Sequence, residues 1–206
     1  MKLNLAESFG KHAAQNRFKY ISITAALFLG LIAGAVFGLN GSISSGYAEN
    51  FISMYKLQGA ASSQIFTYSF ISYLRLAAII WIAGRFMFLI PLIYIQVAAK
   101  GFGIGCTISY IVSVFGVSGT VFCFLSMFMQ NVIFIPALII YSVHRINFAA
   151  AYRTVRSSPS AFKQRRKLNT EDLEAFLIFF AAAMLCTCIE AYVVPPLIKP
   201  FCTKFM

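Results

Sequence analysis

Few side chains in this 206-residue sequence can do chemistry, and most of those stand inside apolar stretches. Arg75 and Arg85 interrupt one stretch, the adjacent pair Gln130 and Asn131 a second, and Glu190 a third. An arginine at the centre of a membrane helix costs roughly 2.5–3.5 kcal/mol on insertion scales, so it requires a counter-charge, a reach to the interface or a wet cavity. Glu190 is the one acid well inside an apolar segment, within reach of Arg75 on the outer half, which leaves an Arg75–Glu190 pair open. The alternative is a Glu190 solvated at the membrane surface. Gln130 and Asn131, with Pro136 close behind, either line a cavity or bond between helices. Arg75, Arg85, Glu190, Gln130 and Asn131 thus form a candidate intramembrane polar network.

Catalytic constellations fail on geometry. Gly116-Val117-Ser118-Gly119 has the form seen around the nucleophile of rhomboid-type intramembrane proteases, and His144 is the only histidine downstream. Ser118 stands some 17 residues beyond Lys100, about 25 Å along a helix, whereas His144 adjoins Arg145. A nucleophile and its base must approach within about 3 Å, so this dyad is excluded. Gly101, Gly103 and Gly105 imitate part of a phosphate loop, but no strand and no Lys-Ser/Thr accompany them. Helix packing or a tight turn is their expected use. Cys106, Cys123, Cys186, Cys188 and Cys202 are odd in number, lack framework spacing and read as reduced packing residues. No enzyme activity, metal or cofactor is expected.

The elements that position these residues follow from composition. With 60% apolar residues, 11% charged and a mean hydropathy of +0.79, the chain has too little polar surface to cover a soluble globule. The predicted fold is all-α, a polytopic transmembrane bundle forming a single integral membrane domain over residues 1–206. Spans are expected at about 20–39, 66–98 (kinked), 101–120, 122–144 and 172–194. The kink rests on Gly84, Arg85 and Pro91, in either one bent span or a span plus a re-entrant half; the alternative is a hairpin of two short spans, which would put one of the two basic regions outside. The turn between the third and fourth spans falls either at Gly116–Gly119 or near Gln130–Asn131. The last helix is expected to be capped by Asn169 or Thr170, to carry Glu171, Asp172 and Glu174 in its first turn, and to stop at Pro195–Pro196.

Charge then orients the bundle. The net charge of +11 flanks apolar spans rather than forming a soluble patch, so no nucleic acid partner is expected. A basic loop over 145–171 and the amino terminus with Lys2, Lys11, Arg17 and Lys19 should both face the cytoplasm. That parity requires four crossings between them, an inside amino terminus and an outside carboxyl terminus. Gly30, Gly34 and Gly38 recur every fourth position and make a helix-packing face, used either within the chain or against a second copy in a homo-oligomer.

Two stretches carry a family resemblance: Trp81-Ile82-Ala83-Gly84 through Pro91 to Lys100-Gly101-Phe102-Gly103-Ile104-Gly105, and Met129-Gln130-Asn131 followed by Ile135-Pro136-Ala137. With the length and the five-span layout they resemble the stage II sporulation protein M family. Met129 stands where that family's pattern has proline, and Leu89-Ile90 where it has a glycine. The resemblance implies a non-catalytic scaffold in the mother-cell membrane that engulfs the forespore. Its implied partners are the peptidoglycan-degrading stage II sporulation proteins D and P, met through the Asn40–Ser63 loop and the outer ends of the spans. A permease or transporter subunit, with Arg75, Arg85, Gln130 and Asn131 lining a path, is the rival expectation.

Overall fold

The computed structural model describes residues 14–39, 62–156 and 162–196, with no strand among them. Its helices are α1 (Arg17–Leu39), α2 (Ser62–Ala83), α3 (Ile90–Cys123), α4 (Met129–Arg156) and α5 (Phe162–Cys188). A single 3₁₀ turn, Met87–Leu89, leads into α3. Wide π turns at Phe124–Phe128 and Ile189–Val193 follow α3 and α5. Among the described residues five segments are long and apolar enough to cross a membrane: Arg17–Leu39, Ser63–Ala83, Met87–Ser113, Gly116–Val155 and Phe162–Pro196. Their outward side chains, such as Phe28, Leu29 and Ile32 on α1 or Ile178 and Leu185 on α5, are large and exposed, which suits a hydrocarbon surround.

Small residues set the closest helix pair. A Cβ at Gly30, Gly34 or Gly38 would strike the backbone of Ala98, Phe102 or Cys106, and one at Gly101 or Gly105 would strike the carbonyl of Leu27 or Leu31. Partner positions climb in fours on both helices, so α1 and α3 run parallel. The predicted glycine face is therefore real and is spent inside the chain against α3. The expectation of helix packing for Gly101 and Gly105 holds as well.

The other helices alternate. Trp81 meets Asp172 and Tyr73 meets Glu190, which sets α2 antiparallel to α5. Arg145 meets Asp172 while the Gln130 carbonyl accepts from Cys186 Sγ at 3.5 Å, so α4 is antiparallel to α5 too. Lys19 Nζ donates to Asn147 Oδ1, bringing the start of α1 to the end of α4. One end of the bundle thus gathers Arg17, Lys19, Arg85 and Arg145, with Arg153, Arg156, Lys163, Arg165, Arg166 and Lys167 beyond it. The core between the ends is apolar and aromatic: Ile23, Ile80, Val97 and Leu138 surround a Tyr141–Phe179 stack with centroids 4.4 Å apart and a Tyr73–Phe134 contact at 4.5 Å.

Several predicted boundaries are corrected. Residues 66–98 are not one kinked crossing: α2 ends at Ala83, the chain turns through Gly84–Phe86, and α3 begins with Pro91 in its first turn. Proline is well placed there because the first helical N–H groups have no intrahelical partner to lose. Lys100 consequently lies in the middle of α3 rather than between two spans, and the predicted spans 101–120 and 122–144 shift accordingly. The path breaks instead at Gly116, whose φ of 58° and ψ of −133° glycine alone adopts cheaply. That is the first of the two turn sites foreseen. One turn gained at Gly84–Phe86 and one lost at Lys100 leave five segments.

The basic stretch 145–171 is mostly helix rather than loop. α4 continues through Arg156 and α5 already starts at Phe162, because Arg, Lys, Ala and Gln are all good helix formers. Asn169 and Thr170 are therefore interior rather than capping positions, and the Thr170 hydroxyl donates back to the Arg166 carbonyl at 3.0 Å. Helical backbone reaches Pro195 and Pro196, the last described residues. Residues 40–61 of the predicted Asn40–Ser63 loop, and Cys202, lie outside the described residues.

Candidate functional site

Two polar groups interrupt the apolar core. The larger surrounds a cavity of about 210 Å³ lined by Ser69 and Tyr73 from α2, Lys100, Gly103 and Thr107 from α3, Gln130 and Asn131 from α4, and Glu190. Glu190 is 8% exposed and Gln130 5%, so both are fully within the protein. Tyr73 Oη donates to Glu190 Oε2 at 3.3 Å, and the side chains of Ser69 and Gln130 also hydrogen-bond to this carboxylate. Lys100 is half-buried, with Nζ 5.0 Å from the Tyr73 ring centroid and 5.2 Å from that of Phe134. Its charge attracts Glu190 through space. No ion pair within 4.0 Å joins the two among the described residues, where Arg145–Asp172 and Lys167–Glu171 are the direct pairs.

Local backbone aims these groups. A π turn inserts one residue and rotates the downstream side chains by about 100° relative to a regular helix, and such turns are frequent at functional sites. Met127 in the first π turn and Glu190 in the second both line the cavity, and Gln130 and Asn131 directly succeed the first. Gly103 leaves room: a Cβ there meets nothing within 4 Å.

The second group lies at the basic end. Arg145 is 0% exposed and Asp172 1%, and their side chains form a direct ion pair. Arg145 also donates through Nη2 to the Trp81 carbonyl, and Trp81 Nε1 donates to Asp172 Oδ2 at 3.2 Å. Gly84 makes the space, since a Cβ at that position would meet the Arg145 guanidinium. Arg85 covers the group, its guanidinium 4.8 Å from the Trp81 ring centroid and 5.8 Å from that of Phe148.

The match that assigns this architecture covers all five helices: the family model described as Stage II sporulation protein M fits residues 23–195. The chain belongs to the stage II sporulation protein M family. No curated protein and no solved structure is detectably similar to it. Family membership and the five apolar segments together make it a multi-pass membrane protein related to sporulation.

Within this family member the predicted network assembles only in part. Glu190, Gln130 and Asn131 converge on the cavity, whereas the Arg75–Glu190 pair does not form. Arg75 is exposed: it stands two positions beyond the buried Tyr73, about 200° around the helix, and Tyr73 takes the carboxylate. Glu190 is not solvated at the surface either. Arg85 sits in the turn after α2 rather than within a span. Ser118 and His144 are separated by most of the length of the returning helix, about 39 Å at 1.5 Å per residue, so the excluded dyad stays apart.

Sequence reasoning misses Lys100, Ser69, Tyr73, Arg145 and Asp172. Lys100 and Arg145 resemble the basic residues that mark span ends. The available signal is Gly84-Arg85 with Pro91 close behind: a helix stop and a helix start seven residues apart define a hairpin and place Lys100 one-half span beyond it.

Proposed function

We propose that this family member is a non-catalytic membrane scaffold for the peptidoglycan-degrading stage II sporulation proteins D and P, acting in the mother-cell membrane as it engulfs the forespore. The observation that carries this reading is the family match over residues 23–195. Positive-inside charge supports the orientation: the basic end, with Arg153, Arg156, Lys163, Arg165, Arg166 and Lys167 on the helical extensions of α4 and α5, faces the cytoplasm. The amino terminus is then inside and the carboxyl terminus outside. The hydrolases meet the opposite end of the bundle and the segment between α1 and α2. A scaffold requires helix faces and an outward surface and no reacting groups of its own.

The test is an affinity pull-down of the tagged full-length protein from detergent-solubilised sporulating cells, with co-purifying proteins identified by mass spectrometry. Recovery of the D and P hydrolases is expected. Recovery of an ATPase in their place would favour a second reading, a transport subunit, for which the polar cavity around Lys100 and Glu190 is the supporting observation. Normal septal localisation of the hydrolases after deletion of this protein would overturn the scaffold reading.

A further inference from the structure

The Lys100–Glu190 cavity has the chemistry of a binding site, and its contents can be read from its walls. Opposite charges face a space of about 210 Å³ without closing onto each other. Holding a cation and an anion apart inside an apolar bundle is costly, because attraction across a low-dielectric gap falls with distance while each ion keeps its desolvation cost. Two carbonyl oxygens, Gln130 Oε1 and Asn131 Oδ1, are in addition buried with no hydrogen-bond donor among the described residues. The orientation of Asn131 is fixed by Nδ2 donating to the Met127 carbonyl at 2.8 Å, which leaves Oδ1 as the free atom. Buried acceptors of this kind are nearly always matched.

A lone cation in this cavity would face Lys100, and a lone anion would face Glu190. A molecule carrying both signs satisfies both walls. We infer that the cavity binds a small zwitterion with a primary ammonium: its three N–H donors meet the Glu190 carboxylate, Gln130 Oε1 and Asn131 Oδ1, and its anionic group meets Lys100 Nζ. The space is many times what a single water needs and admits one small polar group. This chemistry has two sources, the phosphoethanolamine headgroup of a lipid and a free α-amino acid. The site is independent of the scaffold reading and holds whether or not hydrolases dock on the protein.

Full-length protein in a non-ionic detergent is melted in the presence of four probes. They are short-chain phosphatidylethanolamine, the matching phosphatidylcholine, phosphatidylglycerol and glycine. Phosphatidylcholine is a zwitterion without ammonium N–H donors, and phosphatidylglycerol carries the negative charge alone. Binding to the folded state raises Tm with ligand concentration. A rise with phosphatidylethanolamine that phosphatidylcholine and phosphatidylglycerol do not match identifies a lipid headgroup; a rise with glycine identifies a free solute. Glu190→Gln weakens the effect by more than about tenfold, the loss expected when one buried charge partner is removed. Gly103→Val fills the open space, keeps the unliganded Tm and abolishes the shift. Equal shifts from phosphatidylcholine or phosphatidylglycerol, a shift that survives in Gly103→Val, or no shift from any probe overturns the inference. The comparison of probes on the unaltered protein decides the matter even where a variant fails to fold.

Discussion

The bundle holds two pairs of opposite charges and treats them differently. At the basic end Arg145 and Asp172 are in direct contact, and Trp81 supplies both a carbonyl to the guanidinium and an indole N–H to the carboxylate. Deeper in the bundle Lys100 and Glu190 face a common cavity without touching, and two buried carbonyl oxygens beside them lack a donor. Both pairs are composed of ordinary residues on adjacent helices. The difference lies in the space: Gly84 lets Arg145 close onto its partner, whereas Gly103 and two π turns keep the second pair apart. A pair in direct contact, tied to Trp81 on both sides, holds α2, α4 and α5 together. An open pair is a place where something else completes the electrostatics.

The sharpest way to break this contrast is to remove one member of the closed pair. Asp172→Ala leaves Arg145 buried without compensation and should cost about 3–5 kcal/mol in detergent unfolding. Arg145→Met combined with Asp172→Leu should recover most of that loss; failure to recover would show that the pair does more than cancel charge. Gly34→Leu comes next, since its side chain would be driven into the Phe102 backbone. It should lower stability by about 1–3 kcal/mol or more and reduce cross-linking between cysteines placed on α1 and α3.

The effects should then shrink at the open pair. Tyr73→Phe removes one hydrogen bond to Glu190 and should cost about 1–2 kcal/mol, read as a lower Tm. Gly103→Val should change unliganded stability by less than about 0.5 kcal/mol. If it proved as damaging as Gly34→Leu, the cavity would be a packed core and the contrast would collapse.

Sequence patterning locates much of this site but mispairs it. Glu190, Gln130 and Asn131 are legible because polar groups are expensive among apolar neighbours, and all three reach the cavity. Their cationic partner is not: Arg75 has the suitable charge and depth, but its helical position turns it away from Tyr73 and Glu190. Lys100 and Arg145 look like markers of span ends because charge alone suggests an interface. Each is instead stabilised inside by residues on other helices, at distances of 27 to 90 positions along the chain.

The sequence by itself determined the all-helical class, the number of apolar segments, the glycine face of α1 and the family. These depend on local properties, the hydrophobic length needed to cross a bilayer and the small side chains needed for close helix approach. Tertiary structure alone decided which of the candidate turn sites the chain uses, which charges are buried and which pair stays open. Those outcomes depend on partners distant in sequence, since whether a buried charge is tolerable is set by the groups and the space that packing brings to it.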